Sequence, residues 1–305
     1  MSMNVIEASG LGKRYGSTWA LRECTLAIPA GHVAALVGPN GAGKTTLLNL
    51  AVGLAEPSAG AVTVLGGYPA GSAAALDGIA FVAQDTPLYQ NLPAADMLHL
   101  TRNLNRRFDQ HYAQARLAEL GIPLNRKTGK LSGGQQAQLA LTLGLARRPR
   151  LLVLDEPVAM LDPLARHDFM ATVLAAAADD GVSVVLSSHV LAELERVADY
   201  LILLSRGRVQ VAGEVEDLLA SHRMLTGPAA EADKFAERPV VHVRRGQAQA
   251  HLLVRATVDD PVPPGWEAHP VGLEELTLAY LREPGAGALP GPARGRDTQP
   301  SEVTR

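Results

Sequence analysis

Gly38-Pro39-Asn40-Gly41-Ala42-Gly43-Lys44-Thr45 decides how this chain is read. It fits G-x-x-x-x-G-K-[ST], a loop whose backbone N–H groups cradle phosphates. The apolar run at 31–37 (GHVAALV) predicts a buried strand before it, and 45–54 (TTLLNLAVGL) predicts a helix after it. With no side chains at Gly41 and Gly43, the N–H groups can turn towards a ligand and form an anion nest. The helix N-terminus adds about half a positive charge. The motif places Lys44 on the β- and γ-phosphates and the Thr45 hydroxyl on Mg²⁺. The loop therefore predicts nucleotide binding.

Such a loop serves GTPases, kinases, helicases and motors alike. A second glycine-rich segment, Leu131-Ser132-Gly133-Gly134-Gln135, narrows the field, as does Asp155-Glu156 at the end of the run Leu151-Leu-Val-Leu154. Together these segments resemble the ATP-binding cassette (ABC) family of ATPases, of which LSGGQ is the signature. The resemblance spans roughly residues 4–225. It implies an α/β fold: a P-loop NTPase core with a mixed sheet, an antiparallel β subdomain and a helical insertion at about 92–148. A small C-terminal α+β extension at 226–283 and a disordered tail at 284–305 complete the expected organisation.

Composition sets further bounds. At 305 residues the chain holds one large domain and a small one, and 47% hydrophobic residues support a real core. A net charge of −3 shows no basic excess, so no nucleic-acid partner is expected. The single Cys24 excludes an internal disulfide and fits a reducing cytosol. No run of the signal-peptide kind opens the chain. No stretch approaches the roughly 18 consecutive apolar residues of a membrane helix. Abundant Ala, Gly, Pro and Arg suggest a GC-rich bacterial genome.

Along the chain, residues 4–37 read as short strands punctuated by Gly and Pro, and 77–83 as a strand ending at Gln84. The pattern is helical from 92 to 148, clearest at 96–106 and 110–120. After it, strands and helices alternate in the rhythm of a parallel sheet with crossover helices. Residues 200–213 read as a hairpin turning at Arg206-Gly207, 239–258 as two more strands, and 272–281 as a short amphipathic helix. The residues from Pro284 onwards are Gly, Pro and polar types that predict disorder.

Asp155 ends a run that predicts a buried strand, which brings its carboxylate to the sheet's C-terminal edge, beside the loop. There it can hold Mg²⁺, directly or through water. Successive strand residues point to opposite faces, so Glu156 serves the same site only if the strand ends there, as Pro157 suggests. The resemblance implies the remaining roles. Glu156 polarises the attacking water, Gln84 touches Mg²⁺ or that water, and His189 hydrogen-bonds the γ-phosphate. Lys44 supports the same chemistry. ATP lies against Tyr15, Gly38, Pro39, Asn40, Gly41, Ala42, Gly43, Lys44, Thr45 and Thr46. Ser132, Gly133, Gly134, Gln135 and Asp162 complete the site, and the metal falls to Thr45, Gln84 and Asp155. Two departures stand out: Gln136-Ala137-Gln138 where many relatives carry arginines, and Met160 where many carry a small or polar residue.

Ser132 at the start of a helix leaves free N–H groups that form a second anion site, although the first loop already accounts for one ATP. The resemblance resolves the surplus. Two cassettes pair head to tail, as a homodimer or as a heterodimer with a second ABC ATPase, and each ATP lies between one P-loop and the other chain's signature. The implied assembly is a transporter with separate transmembrane permease subunits, peripheral on the cytoplasmic face of the cell membrane. Tyr89, Gln90 and Leu92 are the candidate contacts for a permease helix. The extension resembles that of bacterial multidrug and antibiotic-type exporter ATPases. An importer ATPase, a soluble ABC ATPase acting on ribosomes or DNA, and a regulatory subunit are the alternatives.

Overall fold

A computed structural model of the chain describes residues 3–84, 88–159, 161–188, 194–235 and 238–289. His189 and Met160 lie outside the described residues, as does the tail from 290 onwards. The chain forms two compact units that meet in sequence between Val215 and Glu216.

The first unit is built on strands that are apolar along their whole length. β3 (Val33–Val37), β7 (Leu151–Asp155) and β8 (Ser183–Ser188) are buried at every residue. Unbroken burial is the mark of a parallel sheet covered on both faces. With β6 (Ile79–Val82), β9 (Tyr200–Ser205) and β10 (Arg208–Glu214) they form a six-stranded sheet, order β10-β9-β3-β8-β7-β6. All neighbours are parallel except β9 and β10, whose antiparallel pairing makes the sheet mixed. The hairpin between them turns at Arg206 (φ 50°) and Gly207 (φ 72°), the two positive-φ centres of a primed turn.

A second, antiparallel sheet runs β2-β1-β4-β5. Its strands β1 (Asn4–Tyr15) and β2 (Thr18–Pro29) are each 12 residues long, not the short pieces their glycines suggested. Register shifts on either side of Leu11 absorb the irregularity, so the ladder continues past Gly10 and Gly12. β4 (Ala59–Val64) and β5 (Tyr68–Pro69) complete it. α1 (Lys44–Ala51) follows β3, and α2 (Ala73–Asp77) precedes β6, so Asp77 ends a helix where a strand was expected.

The helical insertion comprises α3 (Ala94–Leu104), α4 (Gln110–Glu119) and α5 (Gly133–Ala146). It has its own core, centred on Met97, Leu98, Leu117, Leu139 and Leu143. α6 (Pro163–Asp180) returns the chain to the sheet, capped by Asp162 with Pro163 in its first turn.

The second unit begins within α7 (Val215–Ala220) and contains a four-stranded antiparallel sheet, order β12-β13-β11-β14. Its strands are β11 (His222–Pro228), β12 (Val240–Arg245), β13 (Gln249–Arg255) and β14 (Glu267–His269). The boundary expected at 225 thus falls inside a strand. One sheet face packs Leu225, Leu252 and Val254 against Phe235 and Trp266. α8 (Leu273–Arg282) buries Leu273, Leu276, Thr277 and Tyr280, the i, i+3, i+4, i+7 stripe of an amphipathic helix. Residues 284–289 do not begin the expected disorder. They close in a 3₁₀ turn whose carbonyls, at Ala286 and Leu289, accept from the Arg255 guanidinium. Arg255 also donates to the Tyr280 hydroxyl, 2.8 Å away, and His222 Nε2 lies 2.8 Å from the same oxygen. Burial and the nearby Arg255 charge hold the His222 pKa below the ordinary histidine value.

Candidate phosphate-binding site

The parallel register brings the predicted residues to one edge of the sheet. β3 ends at Val37, paired with Ser188, and β8 pairs Ser187 with Asp155 at the end of β7. The C-terminal ends of three neighbouring strands therefore deliver the loop, Ser187 and Asp155-Glu156 to the same place. Gln84 lies two residues beyond β6, exposed, on the far side of β7. This edge is where ligands collect in parallel α/β sheets.

The loop's geometry requires its glycines. Gly43 is the N-cap of α1 with φ 106°, and a Cβ there would meet the Leu21 side chain at 2.6 Å and the Ala20 carbonyl at 2.8 Å. A Cβ on Gly38 would stand 2.3 Å from the Leu204 carbonyl. Conformation and space both exclude a side chain at Gly43, and space alone excludes one at Gly38. The α1 cap has no side-chain hydrogen bond, so its first N–H groups remain available to an anion.

Lys44 is only 5% exposed. Its ammonium donates to the Gly38 carbonyl at 2.9 Å and sits 3.3 Å from Glu156 Oε1. Thr45 is exposed and Thr46 half-buried on the first turn of α1; Pro39, Asn40 and Gly41 are exposed, and Ala42 is buried.

Asp155 is 2% exposed. The Ser187 hydroxyl donates to Asp155 Oδ1 at 2.6 Å, and Ser187 Oγ accepts from the Glu156 N–H at 2.8 Å. The strand ends at Asp155, as the geometry required, and Glu156 takes φ 45°. That left-handed turn is costly for a residue with a side chain, and Ser187 helps to hold it. It swings Glu156 out of the strand's alternation and towards Lys44. Ser187 is the functional residue that motif reading misses, because VSVVLSS announces only a strand. Ser187→Ala removes the donor from a buried carboxylate and is expected to cost about 1–3 kcal/mol of stability. Urea unfolding checks this, and an unchanged midpoint would show that the hydroxyl does not hold Asp155.

The signature segment begins α5 elsewhere. Ser132 is its N-cap, exposed, and accepts from the Gln135 N–H at 3.2 Å; Gln135 Oε1 accepts from the Ser132 N–H in return. This capping box uses the Gln135 side chain for the helix itself. The N–H groups of Gly133 and Gly134 are the ones left for an anion. Gln136 donates to the Leu131 carbonyl at 3.1 Å, while the buried Gln138 amide has no partner among the described residues. Gln138, Gly134 and Asp162 line a cavity of about 220 Å³ beside α6. Asp162 serves as the α6 cap, accepting from the Ala165 N–H at 2.9 Å. Tyr15 closes β1 and is 53% exposed, with the Lys13 ammonium 5.2 Å from its ring centre.

Thr45, Asp155 and Gln84 offer a hydroxyl, a buried carboxylate and an amide oxygen, the oxygen donors that a hard cation prefers. At the sheet edge, a glycine loop at a helix start, a buried lysine and a carboxylate turned to meet it give the donors and charge that a phosphate group requires.

Comparison with known proteins agrees. The ABC transporter family model matches residues 21–159. The chain is 33% identical over 225 residues to the Nod factor export ATP-binding protein I of Rhizobium etli, covering 72% of this chain and 71% of that one. It is 36% identical over 222 residues to the Fe(3+) ions import ATP-binding protein FbpC of Pseudomonas fluorescens, covering 69% and 62%. Against the probable multidrug ABC transporter ATP-binding protein YbhF of Escherichia coli it is 32% identical over 294 residues, covering 91% of this chain and 50% of that one. The chain thus spans only about half to two thirds of the length of several curated relatives. A bacterial ABC transporter cassette solved as a dimer superposes with a TM-score of 0.61 at 26% identity, over 69% of this chain and 98% of that one. This chain belongs to the ABC transporter ATP-binding family, a family of ATPases.

Proposed function

We propose that this protein is the ATP-hydrolysing subunit of a membrane exporter, working as one of two paired cassettes on separate membrane subunits. The observation that carries the reading is the separation of the two glycine cradles. One surrounds Lys44 and Glu156 at the sheet edge, and the other caps α5 in the insertion. A second cassette, a copy or a paralogue, supplies the signature half of each site, with Ser132, Gly133, Gly134, Gln135 and Asp162 facing the partner's ATP.

Within one chain, the N–H groups from Gly38 to Thr46 hold the phosphates, Lys44 neutralises them and Tyr15 stacks on the base. Glu156 accepts the proton of the attacking water, and its turn at the strand end positions the carboxylate for that task. Thr45, Asp155 and Gln84 would hold Mg²⁺, which spreads the charge developing on the transferred phosphoryl group when bound. His189 follows β8 directly in sequence and takes the γ-phosphate role.

Among the described residues, no helix is long and apolar enough to cross a membrane. Membrane attachment on the cytoplasmic face is therefore assigned to the partner subunits. A groove of about 370 Å³ between the sheet and the insertion, lined by Leu54, Phe81, Leu88, Met97 and Leu143, supports a helix-docking role. Tyr89 is 63% exposed and adjoins Leu88 in sequence. Export is favoured over import because the alignment with the probable multidrug relative covers 91% of the chain and so extends into the second unit. Tyr89→Ala is expected to reduce ATP-driven transport at least about tenfold while isolated nucleotide binding stays unchanged. Co-purification of the membrane subunit with wild type and variant in equal yield would count against docking there.

A further inference from the structure

The second unit holds a cleft that the ATPase reading does not use. On the sheet face opposite the Phe235–Trp266 core, cross-strand register sets Met224, Leu253 and His242 in one row. Thr226, His251 and Arg244 form the next. α8 lies over this face, and its flank brings Glu275, Leu278, Ala279 and Arg282 to the same opening. The cleft between them measures about 140 Å³.

Its charges are unusual for this unit. Arg223 and Arg238 bond to carbonyls, Arg245 to Asp233, and Arg255 to Tyr280 and two carbonyls. Arg244 and Arg282 are the guanidiniums whose side chains form no hydrogen bond or ion pair among the described residues, and both line the cleft. His251 Nδ1 lies 3.1 Å from the Thr226 hydroxyl, which fixes the ring and leaves Nε2 for another partner. His242 is engaged by Glu283 at 3.4 Å. Met224, Leu253, Leu278 and Ala279 supply the apolar lining.

We propose that this cleft binds a small organic acid carrying one negative charge, its carboxylate held by Arg244, Arg282 and His251 and its apolar body on Met224, Leu253 and Leu278. A planar guanidinium pair is the usual answer to a carboxylate. Glu275 on the same rim disfavours a polyanion, and the volume lies below the ~300–1,000 Å³ typical of drug-sized ligands. The site lies wholly within the second unit, and the proposal does not depend on the transporter reading.

Calorimetric titration of the full chain in MgADP, with benzoate, benzyl alcohol and inorganic phosphate as probes, tests this. Benzoate is expected to bind with a Kd of about 1 mM or tighter. The neutral alcohol and the headgroup-only phosphate should each be at least about tenfold weaker. Arg244→Gln and Arg282→Gln should each weaken benzoate about tenfold, whereas Glu275→Gln should tighten it about threefold. That gain keeps the test valid even if an arginine variant folds poorly. Benzoate affinity unmoved by all three substitutions, no benzoate binding up to about 10 mM, or phosphate binding as tight as benzoate would each overturn the proposal.

Discussion

Glu156→Gln is expected to bind MgATP with wild-type affinity and to turn it over at least about 10²-fold more slowly. The substitution preserves size and shape, so the turn at φ 45° and its Ser187 hydrogen bond have no reason to change. It removes the negative charge and the proton acceptor. Glu156 Oε1 lies 3.3 Å from the Lys44 ammonium, so the carboxylate already faces the loop proposed to hold the phosphates. In the proposed role, Glu156 acts on the water and contributes little to binding the nucleotide. The variant should therefore accumulate with ATP bound and its two cassettes closed. A wild-type rate of phosphate release, measured on the purified variant, would assign the proton transfer to another group.

Lys44→Ala is the second large effect, and it falls on binding. The lysine side chain is buried and held by the Gly38 carbonyl at 2.9 Å, so the chain pays little further ordering entropy when the ammonium meets a phosphate. A hydrogen bond to a charged group contributes about 1.5–3 kcal/mol, so ATP affinity should fall roughly 10- to 100-fold. Fluorescent-nucleotide titration reads this directly. Nucleotide affinity equal to wild type would refute a phosphate role for Lys44. The contrast between the variants, one losing rate and the other affinity, separates the two halves of the site.

The parts of the fold visible in the sequence are those where one residue type is the only physical solution. Gly43 sits at φ 106° against the Ala20 carbonyl, so the loop motif announces itself. The apolar strands β3, β7 and β8 are equally plain, because only a covered parallel sheet tolerates such runs. Asp155 and Glu156 were legible as a pair, but the turn that sends Glu156 towards Lys44 was not, since nothing in Glu-Pro specifies a left-handed residue. Ser187 was hidden for a related reason. Its role comes from the strand opposite, through a register that sequence does not show.

In the signature, reading Ser132 as a cap was sufficient to locate a free helix end, yet the Gln135 side chain turns back into a capping box. The second unit was the least legible. β11 (HRMLTGP) has neither clean alternation nor an apolar run, and its partners lie far along the chain. Arg255, whose bonds to Ala286 and Leu289 order residues once assigned to the tail, carries no local signal of that contact.

The central claim is that each ATP is held between the P-loop of one cassette and the signature of another. Native mass spectrometry of the Glu156→Gln chain, isolated with MgATP from the cell it comes from, measures this most directly. The account predicts two cassettes holding two ATP, either two copies of this chain or one copy with a paralogue. A single cassette stably holding one ATP would contradict it.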